Sequence, residues 1–152
     1  MMIIAPGDLD DGRIIELLHI HLTQAQAESP PGSVHALDLT ALKAPEISFF
    51  AAWQNDTLMG VGALKHLSPA HAEIKSMHTP RSVRGRGAGG AMLRHIIDTA
   101  QARGYARLSL ETGSMDYFAP ARSLYRRHGF TDCEPFGDYI PDPNSVFMTL
   151  ML

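Results

Sequence analysis

Apolar residues return every three or four positions in three stretches of the chain, which is the spacing of one buried face of an α-helix. The pattern predicts a first helix over about residues 9–27, a second over about 88–103 and a third that begins near Pro120. Proline at that point suits the first turn of a helix. The apolar positions behind these helices are Ile14, Ile15, Leu18, Leu22, Ala25, Met92, Leu93, Ile96, Ile97, Ala100, Ala121, Leu124 and Tyr125.

Shorter apolar runs, bounded by turn residues, predict strands. A short helix over residues 34–42 is also expected, closed by Pro45. The order is a β-meander followed by strand, helix, strand, helix and strand, so the predicted class is α+β, or mixed α/β. The predicted strands cover residues 2–5, 46–53, 57–67, 71–79, 107–112, 130–136 and 146–152.

Glycines mark the ends of elements and the tight places between them. Gly104 and Gly129 suit the residue that follows the end of a helix. Gly60 and Gly62 lie inside a predicted strand, where glycine indicates a bulge or the close approach of another backbone.

The predicted strand over residues 71–79 carries most of the polar candidates. Successive side chains of a strand point to opposite faces. Strict alternation places Glu73, Lys75, Met77 and Thr79 on one face and Ile74, Ser76 and His78 on the other.

Composition narrows the class of protein. The chain has 152 residues, 45% of them apolar, which suits one domain over residues 1–152. The net charge of −3 argues against general nucleic-acid binding, and the single cysteine excludes an internal disulfide. The histidines show no metal-ligand spacing, and no apolar run approaches about 18 residues. We therefore expect a cytoplasmic protein with no membrane segment and no bound metal.

A glycine-rich turn before the second helix is the most specific chemical feature. It reads Arg84-Gly85-Arg86-Gly87-Ala88-Gly89-Gly90. The first amides of a helix have no partner within the helix, and its positive end favours an anion. Glycine lets a phosphate approach the backbone, and the arginines add charged donors. The turn predicts a phosphate-bearing ligand, most simply a pyrophosphate.

Two common phosphate loops fit this turn poorly. A Walker loop requires Gly-Lys-Ser/Thr, which is absent. A dinucleotide fingerprint is formally matched by Gly85, Gly87 and Gly90, but a strand should run directly into its first glycine. Here residues 79–84 intervene, which disfavours a nicotinamide-dependent enzyme.

A third pattern fits better. Arg84-x-x-Gly87-x-Gly89, followed by a helix, a strand and Ala121-x-x-Leu124-Tyr125-x-x-x-Gly129-Phe130, resembles the GCN5-related N-acetyltransferase (GNAT) superfamily. The resemblance implies that fold: one mixed, mostly antiparallel seven-stranded sheet, splayed between the fourth and fifth strands and flanked by about four helices. It also implies that acetyl-CoA binds in the split as a co-substrate.

The resemblance further implies residue roles. Tyr125 matches a tyrosine that lies near the CoA sulfur in many members, so it is the predicted acid for the thiolate. Glu73 is the predicted base, with His78, Glu111 or a water chain as alternatives. The predicted cofactor-binding residues are Arg84, Gly85, Arg86, Gly87, Ala88, Gly89 and Gly90 for the pyrophosphate, Met77, His78 and Thr79 for the pantetheine, and Tyr125.

The expected reaction is acetylation of a primary amine, on a small molecule or an amino-acid-like acceptor, by direct attack on the thioester. Residues 34–42, 111–120 and 136–144 are expected to wall the acceptor pocket. Many members carry Asn after the fifth strand, and Thr112-Gly113-Ser114 stands there instead, so that contact is not expected. A homodimer is compatible with this resemblance. A non-catalytic acyl-CoA-binding or sensor module is the alternative function.

Overall fold

The computed structural model describes residues 1–152 and contains one seven-stranded sheet with four α-helices. The sheet order is β1-β2-β3-β4-β5-β7-β6, and only the β4–β5 pair is parallel. The predicted mixed, mostly antiparallel architecture is confirmed. The elements are β1 (Met2–Pro6), α1 (Gly12–Glu28), α2 (Leu39–Leu42), β2 (Ile47–Gln54), β3 (Thr57–Ser68), β4 (His71–His78), α3 (Ala88–Ala102), β5 (Arg107–Gly113), α4 (Ala119–Arg127), β6 (Thr131–Asp132) and β7 (Ser145–Met151).

Apolar side chains fill both faces of the sheet. On one face, α1 buries Ile14, Leu17 and Leu18 against strands β2 and β3. On the other face, α3 and α4 bury a larger cluster that includes Leu93 and Tyr125. Burying a large apolar side chain contributes about 1.5–3 kcal/mol to folding stability. Both helical layers are therefore held against the sheet mainly by apolar packing.

Helix boundaries follow local signals. Helix α1 begins at Gly12, three residues later than predicted, because the Asp11 carboxylate accepts a hydrogen bond from the Arg13 amide and caps the helix. Gly104 follows α3 with φ +84° and Gly129 follows α4 with φ +95°. Both take the left-handed conformation that glycine adopts without steric cost, which confirms the two predicted helix ends.

Gly62 marks a close approach between β3 and α3. A Cβ placed there would lie 2.9 Å from a side-chain carbon of Met92 and 3.0 Å from one of Ile96. The β2–β3 register also shifts between Ala52 and Trp53. The predicted bulge therefore lies beside Gly60, whereas the close approach at Gly62 is made by side chains of α3 and not by another backbone.

Strands β4 and β5 separate part-way along their length. They pair only where residues 71–74 lie beside residues 107–110. Beyond that point β4 continues to His78 and β5 to Gly113 without pairing to each other. A gap thus opens in the middle of the sheet, between the fourth and fifth strands, where the splay was expected.

Strict alternation along β4 is wrong beyond Lys75. Ser76 has φ +56°, and the β3 partners skip from Ala63↔Lys75 to Val61↔His78. The extra residue forms a β-bulge, which reverses the faces of the residues that follow it. His78 consequently lies on the α1 side of the sheet, where it contacts His21, rather than on the face of Ile74.

Two predicted elements are shorter than expected. Within residues 34–42 only Leu39–Leu42 is helical, because the Asp38 side chain accepts from the Ala41 amide and starts the helix there. Within residues 130–136 only Thr131–Asp132 pairs with β7. Pro135 has no amide hydrogen with which to extend that edge.

Candidate active site

The turn before α3 presents backbone donors that the protein does not use. Gly85 and Gly87 have φ +82° and +85°, and an added Cβ would meet nothing within 4 Å at either residue. The amides of residues 85–90 donate to no acceptor in the protein. Arg84 Nε donates to the Thr79 carbonyl at 3.2 Å and ties the turn to the end of β4. The geometry is that of an anion site at a helix N-terminus.

A cavity of about 480 Å³ joins this turn to the gap between β4 and β5. Its walls come from the turn, the ends of both strands, α1 and α4. The predicted binding residues that line it are Met77, His78, Thr79, Arg84, Gly85, Gly87, Ala88, Gly89, Gly90 and Tyr125. Arg86 does not line it: this residue borders a separate recess of about 240 Å³ beside Gln54 and Asn55.

Tyr125 projects from α4 into this cavity. It is 7% exposed, its ring meets that of Phe130 edge-on at 6.0 Å between centroids, and its hydroxyl makes no hydrogen bond within the protein. Burial raises the pKa of Tyr125 to about 12, with a further contribution from the charge of Glu111. The hydroxyl therefore keeps its proton at neutral and moderately basic pH.

Glu73 lies behind the cavity wall and is 2% exposed. Its Oε2 accepts a hydrogen bond from the Tyr139 hydroxyl at 2.6 Å and lies 3.3 Å from Lys75 Nζ. The carboxylate is thus committed to two partners. The sequence could suggest the strand but not these contacts, because Tyr139 is 66 residues away.

Glu111, near the end of β5, does line the cavity. Burial raises the pKa of its carboxyl from 4.5 to about 7, and the Ser145 hydroxyl and the nearby charge of Lys75 oppose this shift only in part. A carboxyl that titrates near neutrality suits a general base. In the sequence, the one signal that pointed to Glu111 was its place at the end of a predicted strand, beside the predicted split.

A histidine pair closes the α1 side of the cavity. Nδ1 of His21 and Nδ1 of His78 lie 3.1 Å apart, so one ring donates to the other. Burial lowers the pKa of both rings to about 4, which makes them neutral at pH 7. The role of His21 was not predictable from the sequence, because nothing local links two residues 57 positions apart.

The predicted acceptor segments contribute unequally. Residues 33–36 and 111–113 line the cavity, together with Tyr117 and Phe118. Residues 37–42 and 136–144 do not line it. The latter loop instead supports the wall from behind, since Ser33 Oγ donates to Asp142 at 2.6 Å.

The structure also bears on two other classes of site. No helix is both long enough and apolar enough to cross a membrane. No group of three or more His, Cys, Asp or Glu side chains is placed to hold a metal ion.

Known proteins resemble this chain in sequence and in fold. The acetyltransferase (GNAT) family model matches residues 14–130. The uncharacterized N-acetyltransferase YsnE of Bacillus subtilis (strain 168) is 53% identical over 145 residues, which is 95% of this chain and 96% of that protein. The IAA acetyltransferase of Azospirillum brasilense is 42% identical over 120 residues, which is 78% of this chain and 77% of that protein.

Among solved structures, a Bacillus subtilis acetyltransferase in complex with CoA has a TM-score of 0.75 at 20% identity, over 100% of this chain and 99% of that chain. That likeness concerns the fold and agrees with the splayed sheet described above. With the family match over most of the sequence, it follows that this chain belongs to the GNAT family of acetyltransferases and is an N-acetyltransferase.

Proposed function

We propose that the protein transfers an acetyl group from acetyl-CoA to the primary amine of a small molecule, by direct attack of the amine on the thioester. The observation that carries the proposal is the continuity of one cavity from the unengaged amides of residues 85–90 to the gap between β4 and β5. The CoA complex among the proteins of like fold and the acetyltransferase names of the relatives support the same assignment.

In this proposal the turn holds the pyrophosphate of acetyl-CoA. The amides of residues 85–90 supply neutral donors, the N-terminus of α3 supplies a positive dipole, and Arg84 supplies a full charge nearby. The open edge of β4 at Met77, His78 and Thr79 takes the amides of the pantetheine arm. An unpaired strand edge offers the alternating donors and acceptors that such an arm can satisfy.

Glu111 is our candidate for the base that removes the amine proton. Glu73, predicted first for this role, is held by Lys75 and Tyr139 and does not line the cavity. His78 is a weaker base at neutral pH, because burial lowers its pKa to about 4 and its Nδ1 is shared with His21. A carboxyl with a pKa of about 7 accepts a proton at the pH of the reaction and can release it again.

Tyr125 is our candidate for the group that stabilises the departing thiolate. As the amine nitrogen bonds to the carbonyl carbon, the carbon–sulfur bond breaks and negative charge moves to sulfur. An ordinary thiol has a pKa of about 8.5, well below that of Tyr125, so the hydroxyl serves mainly as a hydrogen-bond donor to sulfur. The incoming ammonium loses one proton to Glu111, which passes it to solvent. The nitrogen loses a second proton as the amide forms, and this one balances the proton that the thiolate finally gains.

The test is to incubate the purified protein with acetyl-CoA and a panel of primary amines. We expect thiol release in equal amounts with an N-acetylated product identified by mass spectrometry. Thiol release without product would mean thioester hydrolysis, and CoA binding without either would favour the sensor alternative. The cytoplasmic location and the homodimer stay predictions, to be checked by cell fractionation and by light scattering.

A further inference from the structure

The acceptor chamber is the part of the cavity lined by His21, Val34, His35, Lys75, Glu111 and Tyr117. It lies along the α1 side of β4, and its side chains come from segments far apart in the chain. Tyr117 donates to the side-chain oxygen of Gln24 at 2.8 Å and so ties one wall to α1.

The one cation of the acceptor chamber is fully engaged. An ammonium group has three donors. Lys75 Nζ donates to the His35 carbonyl at 3.0 Å and to the Tyr139 hydroxyl at 2.8 Å, and it lies 3.3 Å from Glu73 Oε2. Its side chain is 9% exposed. Lys75 therefore has no donor left for a carboxylate on an incoming molecule, and the Lys75–Glu73 pair has no net charge to attract one.

The carboxyl groups of Glu111 and Asp142, in the same region, have no cation beside them to balance their charge. Glu111 forms no ion pair within the protein, and the only side chain that offers its carboxyl a hydrogen bond is the neutral Ser145 hydroxyl. Asp142, behind the wall, accepts only from neutral groups, the Ser33 hydroxyl at 2.6 Å and the Asn144 amide at 2.8 Å. The ring of His35 is neutral because burial lowers its pKa. With Lys75 and Glu73 cancelling, the remaining charge around the chamber is negative: it comes from Asp142 and, above about pH 7 where its carboxyl loses its proton, from Glu111.

We infer that the acceptor is a cationic amine without a carboxylate beside its amino group, so that simple amines are acetylated in preference to α-amino acids. The inference rests on the proposed function and narrows it. A cationic amine is attracted by Asp142 and by ionised Glu111, whereas the carboxylate of an amino acid meets these charges and finds no unengaged cation in the chamber. Discrimination by an unpaired buried charge is a recognised source of specificity.

The experiment compares compounds that differ only at this group. One set is 2-phenylethylamine, L-phenylalanine and L-phenylalaninamide, and a smaller set is isobutylamine, L-valine and L-valinamide. Rates are expressed per concentration of unprotonated amine, because the three amino groups titrate differently. We expect kcat/KM for the amine and the amide to exceed that for the amino acid by about tenfold or more. Equal or faster acetylation of the amino acids overturns the inference.

Two variants test the cause. Asp142→Asn keeps an oxygen for Ser33 but removes a charge, and Glu73→Gln leaves Lys75 without its counter-charge. Both variants should narrow the gap in kcat/KM between the amide and the amino acid, and Glu73→Gln should narrow it more strongly. The control is Asp138→Asn, an exposed residue of the same loop, which should leave the gap unchanged.

The outcomes separate this inference from the proposed function. A gap that persists unchanged in both variants overturns the electrostatic cause and hence the inference. If no amine is acetylated although CoA binds, the proposed function fails and this inference fails with it. If amino acids are acetylated as well as their amides, the proposed function stands and only the inference falls.

Discussion

The two ends of the cavity are built in opposite ways. The turn before α3 offers backbone amides that no protein group engages. The acceptor chamber is walled by side chains from distant segments, which hydrogen bonds tie together over long separations in the chain, 93 residues for Tyr117 and Gln24. The first arrangement depends on the backbone and not on particular side chains. The second can change with each of several distant segments, so it is where substrate choice can vary.

The largest effect is expected at the turn. Gly87→Glu places a carboxylate in the proposed anion site and strains a residue at φ +85°. We expect at least about a 100-fold loss of CoA affinity by calorimetry, because both the dipole and the free amides then face a fixed negative charge.

Gly104→Glu is the matched control. Gly104 follows the other end of α3 at φ +84° and also has open space around it. It shares the backbone strain but not the ligand, so its affinity for CoA should stay normal. Equal affinity in the two variants would show that the turn is not the phosphate site.

The next effect is expected at the junction of the two ends. Glu111→Gln removes the candidate base, and general-base catalysis contributes about 10²–10⁴-fold. In the unmodified protein, kcat/KM should rise as the pH rises through about 7, since the base must lose its proton. The variant should be slower and should lack that rise.

Glu134→Gln, at an exposed position, serves as its control and should keep the full pH profile. A profile of Glu111→Gln with an unchanged rise near pH 7 would assign the base to another group.

A smaller effect is expected for Tyr125→Phe. The ring is kept, and only the hydrogen bond to sulfur is lost, so kcat should fall by about 10–100-fold with CoA affinity unchanged. Tyr105→Phe, whose hydroxyl bonds to His66 outside the cavity, should behave like the unmodified protein. Unchanged turnover in Tyr125→Phe would remove this role.

The smallest effect concerns stability. The native carboxyl of Glu111 keeps its proton up to about pH 7, whereas the unfolded chain loses it near 4.5. The stability from the protonated form is therefore fully present below pH 4.5 and is lost as pH rises through about 7. Between pH 5 and pH 8 the free energy of unfolding should fall by about 2–3 kcal/mol more than in Glu111→Gln.

Denaturant titration of both proteins at the two pH values measures this difference. Other titrating groups contribute equally to both proteins and cancel in the comparison. A difference near zero would mean that Glu111 titrates as it does in water, and the assignment of the base would lose its electrostatic support.

Much of the fold was predictable because its signals are local. Alternating and helical apolar patterns gave the strands and the three long helices, and Gly104 and Gly129 ended two of them. The bulge at Ser76 was not predictable, because it depends on the register against β3. That one residue moved His78 to the other face of the sheet, where it pairs with His21.

Within the candidate site, too, local features were predictable and long-range contacts were not. The turn and Tyr125 were identified from short motifs, and both line the cavity. The contrast between Glu73 and Glu111 was not visible in the sequence, because it depends on which carboxyl finds a partner. Tyr139 and Lys75 engage Glu73, whereas no cation pairs with Glu111.

The sequence by itself determined the glycine turn, the helix it opens and the family to which the chain belongs. These depend on steric freedom and unpaired amides within a few residues. Only the tertiary structure decided the charge of the acceptor chamber, the partner of Lys75 and the position of His78. Hydrogen bonding and burial there depend on neighbours that folding brings together from 40 or more residues away.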